Sequence, residues 1–327
     1  MLHIHNVAII GGVPTFICDL AAAFPQFFHV SMYLNPREDR GAIQMLNNSG
    51  IRALHGQLNE ATIKDIDPAV LVLHNISGAS AEGQHPWGWL RQWPTIMWHH
   101  SKVRPTIPCD LHIFVSNYLK SMFNNLIESQ FIKKYKVIPP CIQASKYQNV
   151  VRSKERTIGK IATPTKREKY PDVLLKVVEL TNSKLVIPGG STFYGANENV
   201  ISLSPSWWRV ASFMSEMNLF VYVNDVNFGP ETWCRGVTEA LASGIPVIAE
   251  NRGGILEQIT NGVNGYLVEP TDIYLIKARI EELFDNPQKA QAIGEAGRKW
   301  VKENADISRL KRDLSEDILG MVMVTVL

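Results

Sequence analysis

Several common signatures are missing from this sequence. It has no C-x-x-C pair: the four cysteines, Cys18, Cys109, Cys141 and Cys234, are scattered, which speaks against a zinc site and against a disulfide framework and fits a reducing compartment. It has no uninterrupted apolar run of about 18 residues, and the tail ILGMVMVTVL is too short to be one, so no transmembrane span is expected. It has no charge excess, with 33 Lys and Arg against 31 Asp and Glu, so nothing overall calls for a nucleic-acid partner and a small or neutral ligand is expected. The opening MLHIHNVAIIGG lacks a basic n-region and ends its apolar run in a glycine pair, which predicts a buried first strand rather than a signal peptide. The protein is therefore expected to be cytoplasmic.

What is present is an alternation. NVAII, HVSMYL, IRAL, AVLVLHN, TIMWHH and LHIFVS read as buried strands, and TFICDLAAAF and NYLKSMFNNLI as helices between them. After VIPPC the chain turns polar and basic in VVRSKER, and a second series follows: TIGKIA, KLVIPGG, LFVYVN, IPVIAE and GYLVEP. This pattern predicts an α/β fold of two Rossmann-like, doubly wound parallel sheets facing across a cleft. The boundary is placed near residues 145–155. That gives a first domain over 1–150, a second over 151–310, and a closing helix over 311–327.

Chemistry concentrates in GPETWCRGVTEALASGIPVIAENRGG, from Gly229 to Gly254. LFVYVND is the strand before it, NFGPET the exit loop, WCRGVTEALAS a helix and PVIAE the next strand. Glu231 then stands in the loop and Glu239 two turns into the helix, while the amides of residues 232–236 open a helix N-terminus suited to a diphosphate. A carboxylate beside such an anion site accepts hydrogen bonds from sugar hydroxyls, and a second holds a ribose diol.

With EALASGIPVIAENRGG and NGVNGYLVEPTD, this Glu-x7-Glu segment resembles the signature block of retaining GT-B-fold glycosyltransferases of the family-four type, the glycosyl transferases group 1. The likeness is densest over roughly residues 215 to 275 and extends to GGVPTFICDLAAAF, HIFVSNYLKSMF and TIGKIATPTKREKYPDVLLKVV. It implies transfer of a hexose from a nucleoside-diphosphate sugar, UDP-hexose as the commonest donor, to an acceptor hydroxyl, with no metal and no cofactor.

By the same resemblance Glu231 contacts the donor sugar, Glu239 the ribose, and Thr232, Trp233, Cys234, Arg235 and Gly236 form the loop that meets sugar and phosphates. Gly12, with Gly11, matches the first-domain loop near the diphosphate. Lys160, and either Lys166 or Lys169, would neutralise the leaving group, and His100 or its neighbour His99 stands near the transferred sugar. The sequence departs from the family where Thr232, Cys234 and Cys141 replace glycine, Gln143 replaces aspartate and Lys160 replaces arginine, losing a bidentate fork.

Other features carry blander readings beside the functional ones. His74 is either an acceptor-side contact or a satisfied strand-end histidine. The tryptophans of HPWGWLRQWPTIMW read as core before sugar-stacking platforms. Asp65-x-Asp67 precedes a strand, so it reads as a helix-to-strand loop and not a metal site. The basic excess between Lys120 and Lys169 leaves peripheral contact with anionic lipid open. Alternatives to the transferase are a non-catalytic sugar-nucleotide-binding module and an epimerase or phosphorylase on the same fold.

Overall fold

The computed structural model describes residues 1–5, 12–34, 40–55, 59–75, 88–103, 107, 109–127, 132–148, 155–162, 167–188, 191–203 and 210–326. The chain divides into two compact units, Met1–Cys141 with Ile307–Leu327, and Ile142–Asp306. The changeover falls at Cys141–Ile142, ahead of the polar stretch, because Ile142 and Ala144 are already bonded into the second unit through the Ala305 carbonyl and the Asp306 carboxylate.

The first unit holds seven parallel strands, β1 (Leu2–His5), β2 (Val30–Tyr33), β3 (Arg52–His55), β4 (Leu71–His74), β5 (Thr95–His99), β6 (Leu111–Phe114) and β7 (Tyr135–Val137), in the order β3-β2-β1-β4-β5-β6-β7. The second holds six, β8 (Thr157–Gly159), β9 (Lys184–Pro188), β10 (Val200–Leu203), β11 (Leu219–Tyr222), β12 (Val247–Glu250) and β13 (Tyr266–Val268), in the order β10-β9-β8-β11-β12-β13. Every paired neighbour is parallel. Each unit is therefore the doubly wound sheet that strand and helix alternation implies.

The first strand is LHIH rather than NVAII, whose residues 6–10 lie outside the described ones. Period-2 alternation sends Leu2 and Ile4 into a core with Val30, Met32, Leu71, Leu73 and Met97, while His3 and His5 take the opposite face. That second face is covered by the helix Gly12–Ala23, whose Phe16 packs on Trp98 and His100. Histidines buried on one face interrupt the apolar run that marks the other strands.

The edge strands β7 and β10 escaped the sequence reading as well, and both carry exposed residues among their three or four. NYLKSMFNNLI is shorter in helix than expected: a Ser116-capped helix spans Asn117–Ser121 and a single 3-10 turn follows at Asn124–Leu126. The last helix, Ile307–Val326, belongs to the first unit, where Asp317 pairs with Lys134 and Lys136 beside β7. No helix among the described residues is long and apolar enough to cross a membrane.

Candidate functional site

The second unit assembles its polar groups at the carboxyl ends of β8, β11 and β12, the end of an open α/β sheet where ligands bind. β11 ends at Tyr222, and its exit loop delivers Glu231. The Glu231 carboxylate accepts from Lys169 Nζ at 2.6 Å and from the Tyr222 hydroxyl at 2.8 Å. Both side chains of the Lys169–Glu231 pair keep some exposure, 14% and 18%, so the pair is reachable. Burial and the neighbouring carboxylate push the Tyr222 hydroxyl well above its ordinary pKa, so it stays a donor.

The Arg-Gly-Gly that closes the segment has a steric cause. Gly253 sits at φ +67°, and a Cβ there would lie 2.4 Å from the Glu231 carbonyl oxygen. A Cβ on Gly254 would lie 2.0 Å from the Thr232 carbonyl oxygen. With neither present, the two backbones run in contact and the Gly254 amide donates to the Glu231 carbonyl at 2.8 Å. The loop after β12 thus braces the loop that carries Glu231.

Lys160 follows β8 directly and is fully buried. Its ammonium donates to the Val223 carbonyl and to Asn224 Oδ1 and lies 4.5 Å from the centre of the Tyr222 ring. Burial pulls its pKa down to about 7, against the opposing pull of Glu250. Asn224 is oriented in turn: its backbone amide and Nδ2 both donate to the buried Glu250 carboxylate, at 3.0 and 3.2 Å, and Arg252 pairs with the same carboxylate at 3.0 Å. Asn224 and Glu250 were not singled out in the sequence, and Arg252 only as the start of the Arg-Gly-Gly; a polar residue closing an apolar strand, as Glu250 closes VIAE, is the signal that was available.

Glu239 lies inside the helix Arg235–Ala242 and accepts from Arg235 Nε at 2.8 Å and from the Tyr147 hydroxyl at 3.1 Å. Tyr147 is a further residue the sequence did not reveal, since it stands 92 positions away. Tyr147→Phe should lower stability by about 1 kcal/mol, the value of one hydrogen bond, in urea unfolding followed by circular dichroism. An unchanged midpoint would mean that the Tyr147 hydroxyl does not help to hold the carboxylate.

The helix entrance differs from the expectation in one respect. The Cys234 amide, counted among those open to a ligand, donates to Gln258 Oε1 at 3.1 Å, and Gln258 Nε2 returns to the Cys234 carbonyl and to Thr238 Oγ1. A buried glutamine therefore clamps that turn. Trp233 leans on the helix body, donating Nε1 to Thr238 Oγ1 and stacking on Trp300 at 6.3 Å. Cys234 is buried and its thiol is pushed up to about 12, chiefly by desolvation, so it is not a nucleophile at neutral pH. Gly236 brings the helix against Phe220 and the Ile161 carbonyl. Lys166 and Gly11 lie outside the described residues, and Gly12 opens the helix Gly12–Ala23 with an exposed backbone.

In the first unit His74 and His100 are joined, Nδ1 to Nε2, at 3.1 Å at the carboxyl ends of β4 and β5. Asn75, at φ +52°, places its Oδ1 2.7 Å from the His100 amide and 3.1 Å from that of Ser101. His99 points to the opposite face of the sheet, where it bonds His112 at 3.0 Å and stacks on Phe114. The structure groups His74 with His100 and leaves His99 in a core. Asp65 lies in the helix Glu60–Ile66 and Asp67 caps its end, and among the described residues no cluster of three or more His, Cys, Asp or Glu could hold a metal ion.

Residues 143–300 match the sequence profile of the glycosyl transferases group 1, a stretch that lies within the second unit. The whole chain has the GT-B type of fold. Its backbone superposes on Anabaena HepE, solved in complex with UDP-glucose, with a TM-score of 0.76 over 98% of this chain and 99% of that one, at 14% identity. A glycosyltransferase from Rickettsia africae follows at 0.71, with 16% identity over 98% of each chain.

Among curated relatives, 66 residues are 39% identical to a GDP-mannose-dependent alpha-(1-6)-phosphatidylinositol monomannoside mannosyltransferase of Mycolicibacterium smegmatis, covering 20% of this chain and 17% of that protein. The capsular polysaccharide biosynthesis glycosyltransferase CapM of Staphylococcus aureus is 25% identical over 57% of this chain and 45% of its own length. The chain thus spans less than half the length of either.

Proposed function

We propose that this protein is a retaining glycosyltransferase that moves a hexose from a nucleoside-diphosphate sugar to an acceptor hydroxyl without a metal. The observation that carries the reading is the Glu231 carboxylate, held by Lys169 and Tyr222 in a brace that only the Gly253-Gly254 pair permits. A carboxylate fixed in this way accepts hydrogen bonds from a hexose hydroxyl. Lys169 beside it, and Lys160 behind Tyr222, supply positive charge for the departing diphosphate. Glu239, anchored by Arg235 and Tyr147, is assigned the ribose.

Retention in this reading needs no second carboxylate as nucleophile. The acceptor proton passes to the departing phosphate as the bond to the anomeric carbon is exchanged on one face, and the protein contributes position and field. The first unit is assigned the acceptor side, through His74 and its neighbours.

The proposed donor is a UDP-hexose. HepE was solved with UDP-glucose, and the relatives named as GDP-mannose-dependent make GDP-mannose the competing candidate. A thermal-shift and saturation-transfer panel of UDP, GDP, ADP and their glucose, N-acetylglucosamine and mannose conjugates separates them. The wild type should be stabilised by one conjugate above its bare diphosphate, and Glu231→Ala should lose about 10²-fold in preference for the sugar. Binding without turnover of that conjugate would favour the non-catalytic module, and no binding at all would refute both.

A further inference from the structure

All nine histidines lie at or before residue 112, and four of them form a connected line beneath the helix Gly12–Ala23. His29 Nε2 is 3.0 Å from the Phe24 carbonyl, His29 Nδ1 is 2.9 Å from His3 Nε2, His3 Nδ1 is 3.4 Å from His74 Nε2, and His74 Nδ1 is 3.1 Å from His100 Nε2. The line crosses the sheet from the start of β2 through β1 and β4 to the end of β5.

Its first contact sets its direction. A carbonyl oxygen can only accept, so His29 carries its proton on Nε2 and offers Nδ1 as an acceptor. His3 must then donate from Nε2 and accept at Nδ1, and His74 must do the same. His100 comes last: it donates from Nε2 to His74 and is left with its lone pair on Nδ1. Neutral rings are required throughout, and burial lowers the pKa of His29, His3, His74 and His100 alike, the last to about 3.

We infer that His29, His3 and His74 are positioning residues that hold His100 in its Nε2–H tautomer, so that His100 Nδ1 serves only as a hydrogen-bond acceptor. A group meeting that nitrogen must bring its own proton. A hydroxyl or an N–H satisfies it; a carboxylate, a phosphate oxygen or a carbonyl is repelled. On the transferase reading the group is a sugar or acceptor hydroxyl.

The Phe24 carbonyl sets the direction, and it sits at the end of the line opposite His100. The ring of His100 is further fixed by Phe16, edge-on at 5.2 Å, and by Trp98, stacked at 6.3 Å. A ring that cannot turn cannot exchange its two nitrogens, so the tautomer and the orientation are locked together.

The test is a long-range proton–nitrogen correlation spectrum of the full chain labelled with 15N-histidine, at pH 7.5 and with no ligand. The wild type should show His29, His3, His74 and His100 each protonated at Nε2. His74→Asn keeps an acceptor oxygen where Nδ1 was and should leave the His100 pattern unchanged. His74→Gln keeps a donor toward His3 but removes that acceptor, and should convert His100 to a mixture of the two tautomers. A wild-type His100 protonated at Nδ1, or one unmoved by His74→Gln, overturns the inference, and the wild-type spectrum decides even if a variant fails to fold. Because no nucleotide sugar is added, failure of the donor panel and failure of the tautomer line are separate results.

Discussion

Lowering the pH from 7.5 to 5.5 should unfold the first unit while the second remains folded. His3, His74 and His99 are held well below the ordinary histidine pKa, and His100 is drawn to about 3, in each case first by burial. Like charges would add to the cost, since His3 lies near His29, His5 and the Met1 amino group, His74 near His100, His3 and His5, and His99 beside His112 and, through the sheet, within range of His100. The folded pKa is depressed, so the folded unit keeps these rings neutral where the unfolded chain protonates them near pH 6.5. Their contribution is therefore complete above pH 6.5 and is lost as pH falls below it.

Each ring loses about 1.4 kcal/mol per pH unit in that range, and four rings together lose about 5 kcal/mol by pH 5.5. That is comparable to the whole stability of a typical domain, about 5 to 15 kcal/mol. The second unit contains no histidine, and Lys160, its buried base with a pKa pulled down to about 7, loses less than about 1 kcal/mol over the same pH range. Hydrogen exchange read by mass spectrometry, corrected for intrinsic rates, should show peptides from 1–141 losing protection at pH 5.5 while those from 157–306 keep it. Equal loss in both units would mean that these histidines are not neutral in the folded protein.

Gly254→Ala should remove nucleotide-sugar binding and destabilise the second unit together. The added Cβ meets the Thr232 carbonyl oxygen at 2.0 Å, its carbon at 2.6 Å and the Trp233 amide nitrogen at 3.2 Å, all backbone atoms that no rotamer change can move aside. Relief requires parting the two loops, which breaks the Gly254-to-Glu231 hydrogen bond and carries the Glu231 carboxylate away from Lys169 and Tyr222. Overpacking of this kind costs about 1 to 3 kcal/mol. A carboxylate displaced by about 1 Å costs on the order of 10²-fold in transfer.

Gly297→Ala is the matched control. Its nearest neighbours are the Leu241 side-chain end at 2.9 Å, which can shift, and the Leu241 Cα and carbonyl oxygen at 3.4 Å, so a small adjustment accommodates it. Calorimetry and donor titration on the two variants should separate them. If Gly254→Ala binds the donor as the wild type does, the brace does not govern the Glu231 position.

Much of the fold was legible in the chain because strands in doubly wound sheets are covered on both faces and read as apolar runs. LFVYVN, IPVIAE and AVLVLHN are strands for that reason. The strands that escaped are those whose pattern is diluted: β7 and β10 are edges with exposed residues, and β1 alternates apolar residues with histidines. The Glu-x7-Glu spacing and the Arg-Gly-Gly were visible because loop, helix and return loop are contiguous in sequence.

What the sequence determined by itself is the class of each unit and the segment that carries its chemistry, since local periodicity and turn residues act over a few positions. Only the tertiary structure decided the partners. Lys169 meets Glu231 across 62 residues, Tyr147 meets Glu239 across 92, and Asn224 meets Glu250 across 26. His74 meets His3 across 71, and sheet alternation separates His99 from its neighbour His100. Such contacts depend on strand order and register, which put distant residues side by side and which no local pattern records.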